Sequence, residues 1–221
     1  MKILNKFNSE NSFDYENGFY LTAKPDRLGK LLAHYELYKK VCDLPGAIVE
    51  CGVFKGASLI RFATFRNLFE AEHSRKVIGF DMYGKFPQTK FENDKKYLKK
   101  FIEAAGEESI SETELTQIFE LKDIKNFELV KGDINKTVPD YVKNNPHLKI
   151  SLLHIDTDVY EPAVTILREM YDHVVKGGII AFDDYGTFPG ETQAVDEFFK
   201  DKKVKIQKFP FSHIPSFVVK P

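Results

Sequence analysis

The chain has 221 residues, 43% of them apolar, which suits one α/β domain with a full core. Its formal net charge of −1 shows none of the basic excess of phosphate-binding surfaces, so no nucleic-acid partner is expected. No run approaches the roughly 20 apolar residues that span a bilayer, and the N-terminus has no apolar stretch of signal-peptide type, so the expectation is a soluble, cytoplasmic protein with no membrane partner.

Residues 1–24 are polar, aromatic and Asn-rich, and read as an arm or part of a lid. Phe7, Phe13, Tyr15, Phe19 and Tyr20 are residue types enriched at interfaces, so a homodimer through this arm is one reading; lids and cores use the same types. Asp26 is placed to cap a helix running to about Cys42, with Leu28, Leu31, Leu32, Tyr35, Tyr38 and Val41 at helical spacing. Pro45-Gly46 then breaks the chain. Cys42 and Cys51 lack metal-site spacing, and Cys51 reads as a small core residue at a strand end.

Ala47 to Val53 reads as a first buried strand, followed by Gly52, Lys55 and Gly56 and a helix carrying Leu59, Ile60, Phe62, Ala63, Leu68 and Phe69. Val77 to Asp81 is a second strand. Residues 84–124 are charged and mostly helical, a long connection of the kind that forms a lid. The run Lys95, Lys96, Lys99 and Lys100 within it reads as a solvated helix face. Phe127 to Val130 is a third strand and Ile150 to Ile155 a fourth. Pro162 is expected to open the next helix, which Gly177-Gly178 ends. Ile179 to Phe182 is a fifth strand, Gln193 to Lys200 a helix, and residues 204–209 and 216–220 a closing hairpin. Strands alternating with helices predict a mainly parallel sheet in one Rossmann-like domain, whose polar strand ends gather along one edge.

Three acids and a glycine turn point to a cofactor. Glu50-Cys51-Gly52-Val53-Phe54-Lys55-Gly56-Ala57-Ser58 lies at a strand-to-helix junction, where Gly52 and Gly56 let backbone approach a ligand. The free N–H groups at Ala57 and Ser58 suit a carboxylate. G-x-G-x-x-G is absent, so a dinucleotide fits poorly. Asp81 can accept from both ribose hydroxyls, and Asp133 can receive an adenine amino group. Each acid has a plainer reading as turn former or cap. Together they describe a nucleoside carrying an amino-acid tail.

A second acidic set ends adjacent strands: His154-Ile155-Asp156-Thr157-Asp158-Val159-Tyr160 and Ala181-Phe182-Asp183-Asp184-Tyr185-Gly186. Carboxylates brought together repel one another, and a hard dication such as Mg²⁺ relieves the repulsion. Asp156, Asp183 and Asp184 are the expected ligands, with Asp156 also placed as general base. His154 is expected to be structural rather than a ligand, and Asp158 has a strong plainer reading as a helix cap.

These stretches resemble the macrocin O-methyltransferase family, which methylates sugar hydroxyls with S-adenosylmethionine. The matching runs are Val49 to Gly56, Gly79-Phe80-Asp81, Val130 to Asp133, Leu153 to Glu161, and Phe182 to Gly186 continuing into Pro189-Gly190 and Gln193 to Phe198. The resemblance implies a class I methyltransferase fold with a mainly parallel seven-stranded sheet and an antiparallel closing strand. It implies that the positions of Asp156, Asp183 and Asp184 bind Mg²⁺, that the first is the base, and that Glu50, Gly52, Asp81 and Asp133 line the cofactor site. The acceptor it implies is a glycoside or a nucleotide-activated deoxysugar. Met82 to Pro87 departs from the more acidic run of the family, and Thr157 stands where glycine is common.

Other readings of the same acids exist. Asp156-Thr157-Asp158-Val159 resembles the D-x-D-x-[TV] run of metal-dependent phosphatases, and D-x-D also occurs in glycosyltransferases, although here it falls on the fourth strand rather than the first. A catechol-type O-methyltransferase shares the acid-then-acid-pair logic. A non-catalytic module that keeps only the fold is the third alternative.

Overall fold

The computed structural model describes residues 8–221, so the expectation for Phe7 lies outside the described residues. Seven strands form one sheet in the order β3-β2-β1-β4-β5-β7-β6, comprising β1 (Ala47–Cys51), β2 (Val77–Asp81), β3 (Phe127–Lys131), β4 (Ile150–Ile155), β5 (Val174–Phe182), β6 (Gln207–Lys208) and β7 (Ser216–Val219). β1 to β5 run parallel, and β7 is antiparallel to both β5 and β6. The helices are α1 (Ser12–Thr22), α2 (Pro25–Lys39), α3 (Ala57–Phe69), α4 (Glu92–Ala105), α5 (Glu112–Leu121), α6 (Ile134–Asn144), α7 (Tyr160–Met170) and α8 (Pro189–Phe199). This is the expected class I methyltransferase architecture.

Every residue of β1, β2 and β4 is buried, as helices on both faces of a parallel sheet require. The chain moves from β1 outward to β2 and β3, then returns to β4 on the other side of β1. That reversal leaves a crevice beyond the carboxyl ends of β1 and β4, where the register aligns Cys51 with Ile155 and Ile155 with Phe182.

Some boundaries differ from the sequence reading. α2 begins at Pro25 with Lys24 at the cap position, so Asp26 lies in the first turn and is not the cap. Its buried face is Gly29, Ala33, His34, Leu37 and Tyr38, while Leu32 is 47% exposed. The face is rotated from the expected stripe because two small residues bring α2 close to its neighbours; a Cβ on Gly29 would stand 2.8 Å from the Phe211 carbonyl oxygen. α6 was not anticipated, since it holds Pro139 within it; Asp133 caps its start and Val138 buries it. α7 starts two residues before Pro162 and ends at Met170, and Gly177-Gly178 lies inside β5 rather than ending a helix.

The 84–124 connection divides in two. α5 belongs to the core, with Leu115 and Phe119 fully buried. α4 lies over the crevice, with Asp94 and Leu98 buried and the four lysines exposed, as expected of a solvated face.

Candidate active site

A cavity of about 460 Å³ opens beyond the carboxyl ends of β1, β2, β4 and β5. One end is the turn after β1. Gly52 has φ 90°, and a Cβ there would stand 1.7 Å from the backbone oxygen of Asp156, so only glycine lets the two strand ends approach. Gly56 has φ 83° and caps α3 without a side-chain partner. Ala57 and Ser58 line the cavity at that helix start, which suits an anionic group. Gly56 and Glu50 are not among the lining residues.

Asp81 lines the cavity but is already fully engaged. Its Oδ2 accepts from Val53 N at 2.9 Å and Phe54 N at 3.0 Å; its Oδ1 accepts from Tyr83 N and Ser109 Oγ, both at 2.7 Å. Phe54 and Tyr83 both have φ near 50°, a strained left-handed conformation that these bonds hold in place. Asp133 lines the cavity too, while its side chain caps α6 through Asn135 N at 3.0 Å. Phe54, Phe86, Phe101 and Phe188 form an aromatic wall, with ring centroids 5.4–6.2 Å apart.

The other end holds the acids. Ligand oxygens of Asp156, Asp158 and Asp184 lie within 4.8 Å of one another. Asp183, expected in this trio, turns toward α2. Its Oδ2 receives the Lys30 ammonium at 2.5 Å, and its Oδ1 lies 3.5 Å from His154 Nε2 and 3.9 Å from His34 Nε2. Lys30 also stands 3.8 Å from Asp156 Oδ2. Glu50, expected at the cofactor, is fully buried beneath the cavity with Oε1 2.9 Å from His154 Nδ1. His154 is thus buried between Glu50 and Asp183.

The charges divide accordingly. Burial opposes ionisation of Asp183, but Lys30, His154 and His34 hold its carboxyl well below the usual range. Burial would lower the Lys30 ammonium, yet Asp156 and Asp183 keep it above its ordinary value. On the other side Lys30 reaches Asp156 alone, and among the described residues no cation is paired with Asp158 or Asp184. Burial and the neighbouring Asp158, Asp156 and Asp183 push Asp184 well up; burial and Asp156 do the same to Asp158. Burial and Asp183 push Asp156 up to about 7. Asp184 Oδ2 is buried and faces these acids with no N–H donor among the described residues. A hard dication would satisfy that oxygen and relieve the repulsion, so the residues present fit such an ion.

Lys30, His34, Asp94, Ser109 and Glu191 were not read from the sequence. Lys30 and His34 stand four residues apart and both reach Asp183 from α2, a polar pair that a stripe of leucines hides. Glu191 is fully buried; its Oε1 accepts from Asp184 N at 2.9 Å and its Oε2 from Thr157 N at 3.4 Å.

A family model described as macrocin O-methyltransferase matches residues 25–219. A curated relative, demethyldecarbamoylnovobiocin O-methyltransferase of Streptomyces niveus, is 25% identical over 168 residues, spanning 71% of this chain and 59% of the relative. The chain therefore spans under two thirds of that relative's length. Among solved structures, a calicheamicin methyltransferase superposes with a TM-score of 0.78 at 26% identity, covering 99% of this chain and 88% of that one. The apo structure of a TDP-rhamnose 3'-O-methyltransferase of calicheamicin biosynthesis gives 0.68 at 27% identity, covering 97% and 87%. Among the described residues, no helix is long and apolar enough to cross a membrane.

Proposed function

This chain belongs to the macrocin O-methyltransferase family, and we propose that it transfers a methyl group from S-adenosylmethionine to a sugar hydroxyl with the help of a divalent cation such as Mg²⁺. The observation that carries the reading is the placement of Asp156, Asp158 and Asp184 on one wall of the cavity whose other end is the Gly52 turn. A methyl donor and an acidic metal site would then face the same space.

The amino-acid tail of the donor fits the open N–H groups of Ala57 and Ser58, where the α3 dipole favours a carboxylate. The Asp81–Ser109 side of the cavity suits ribose hydroxyls, and Asp133 with Asn135 offers acceptors and a donor to the base. The aromatic wall excludes water from the sulfonium side. Asp156, Asp158 and Asp184 would hold the cation, with Asp183 beside it. When bound, such an ion supplies Lewis-acid stabilisation of developing negative charge on an acceptor oxygen. Asp156 is 24% exposed at its side chain, so its carboxylate is placed to reach and take a hydroxyl proton from the cavity side. In-line approach of the acceptor oxygen to the methyl carbon is then a matter of positioning. The names of the relatives support a sugar acceptor.

Calorimetry with S-adenosylmethionine, paired with methyl-transfer assays on TDP-sugars, catechols and a generic phosphate ester, tests this reading. Asp183→Ala and Asp184→Ala should bind the donor while methyl transfer collapses. Turnover undiminished after chelation would reject the cation, and ester cleavage without donor binding would reject methyl transfer.

A further inference from the structure

Two loops carry the acids, and each runs straight into a helix that lacks a cap of its own. Val159 precedes α7 and Phe188 precedes α8, and neither supplies a side-chain acceptor. A single carboxylate from α4 serves both helices. Asp94 is fully buried; its Oδ2 accepts from Tyr160 N at 2.9 Å and its Oδ1 from Gly190 N at 2.8 Å. Tyr160 follows Asp158 by two residues, and Gly190 follows Asp184 by six.

The fit leaves no slack. A Cβ on Gly190 would stand 2.0 Å from Asp94 Oδ2 and 2.5 Å from Tyr160 N, so a glycine is required where the three segments meet. The α7 side returns the contact. Glu161 accepts from Lys90 N at 2.6 Å, Phe91 N at 3.1 Å and Thr89 Oγ1 at 2.9 Å, and Phe91 stacks on Tyr160 with centroids 4.8 Å apart. Asp158 lies in this loop with φ 62°, in the left-handed region that aspartate tolerates better than most residues with a side chain.

We propose that Asp94 is a positioning residue: by bonding the starts of α7 and α8 together it sets the separation of the Asp156–Asp158 loop and the Asp183–Asp184 loop, and so the geometry of the cation site. Asp94 lies in the segment over the crevice, so that segment and the acid pair form one mechanical unit. The proposal rests on the cation reading above for its functional consequence, while the brace itself is independent of it.

Two readouts keep these apart. In hydrogen exchange of the ligand-free full chain, Asp94→Ala should speed exchange of peptides covering residues 156–158 and 183–187 by about tenfold or more, while 52–58 exchanges as in the wild type. In titration with Mg²⁺ alone, Asp94→Ala should bind about 10–100-fold more weakly, the usual effect of losing a group that orients ligands. Asp94→Asn, which keeps one acceptor oxygen, should fall between Asp94→Ala and the wild type in both. Val138→Ala in α6 serves as a variant destabilised elsewhere and should change neither. Wild-type exchange rates in Asp94→Ala overturn the brace. Faster exchange with unchanged Mg²⁺ affinity, or an equal loss in Val138→Ala, overturns its role at the cation site. Failure of the wild type to bind Mg²⁺ would remove the cation reading and leave the brace to stand or fall on exchange alone.

Discussion

His154 and Glu50 face each other from paired positions on β4 and β1, with Nδ1 2.9 Å from Oε1 and neither side chain reached by solvent. The other imidazole nitrogen points to Asp183, and the ring of His34 stands edge-on with centroids 5.0 Å apart. Two imidazolium ions so close would repel. Burial alone would lower both rings, but Asp183 and Glu50 raise His154 to about 10, while burial and the His154 charge lower His34 to about 3.

This division has a consequence for stability in the metal-free protein. The ordinary histidine value is about 6.5, and His154 is raised above it, so its contribution is complete below about pH 6.5 and is lost as pH rises toward 10. Denaturation measured in chelator should show wild-type stability declining across pH 7 to 10, and His154→Gln should flatten that decline. Parallel profiles for the two proteins would refute the assignment of the proton to His154.

Lys30 stands where positive charge is scarce. Its ammonium serves Asp183 at 2.5 Å and Asp156 at 3.8 Å, and its side chain is 19% exposed. Loss of one partner of a fully buried pair costs about 3–5 kcal/mol. Partial exposure reduces this, so Lys30→Met should lose about 1–3 kcal/mol without metal. Because the ammonium and a dication compete for Asp156, Mg²⁺ should raise the melting temperature of Lys30→Met more than that of the wild type. A smaller rise in the variant would show that Lys30 does not compete.

Much of this arrangement was legible because it lies in continuous runs. The strands Ala47–Cys51, Val77–Asp81 and Ile150–Ile155 are buried throughout and mostly apolar, and each ends at or just before a glycine or an acid, so sheet and crevice follow from pattern alone. The partnership between segments was not legible. Asp183 adjoins Asp184 in sequence, yet one turns to Lys30 and the other to Asp158, because successive residues point to opposite sides. Asp94 adjoins the lysine run that read as a solvated face and carried no signal of its own; only the glycine at 190 makes room for it. Glu50 looked like a ligand group at a strand end, but its side chain faces β4 and pairs with His154.

Asp81, expected to meet ribose, lines the cavity and also holds the turn beside it. Four donors already reach its two oxygens, and among them Ser109 Oγ is the side-chain donor that a sugar hydroxyl could replace. Asp81→Asn should therefore weaken S-adenosylmethionine binding at least about tenfold, since hydrogen bonds to a charged group are worth about 1.5–3 kcal/mol each. Ser109→Ala should have a smaller effect, as it frees one acceptor site without loosening Phe54 or Tyr83. Calorimetry on both variants checks the order, and an equal or greater loss in Ser109→Ala would contradict the part assigned to the turn.

Gly52 links the donor end of the cavity to the acid end at its closest point. Its N–H donates to the Phe80 carbonyl at 2.8 Å, and Asp156 N donates to the Cys51 carbonyl at 2.9 Å, so backbone from β1, β2 and β4 converges there. Gly52→Ala would place a methyl 1.7 Å from the Asp156 carbonyl oxygen and 2.5 Å from its carbon, against backbone rather than a side chain that could swing away. The φ of 90° adds its own penalty for any residue with a Cβ. The strands must part, and the combined cost should reach about 3 kcal/mol or more. Moving Asp156 outward also moves it from Asp158 and Asp184. Gly52→Ala should thus lose both donor affinity and Mg²⁺ affinity, whereas Gly56→Ala, whose Cβ meets side chains, Leu115 at 3.0 Å and Ile110 at 3.9 Å, should chiefly lose donor affinity. Paired titrations of the two variants measure the difference, and undisturbed Mg²⁺ binding in a folded Gly52→Ala protein would break the link between the two ends of the site.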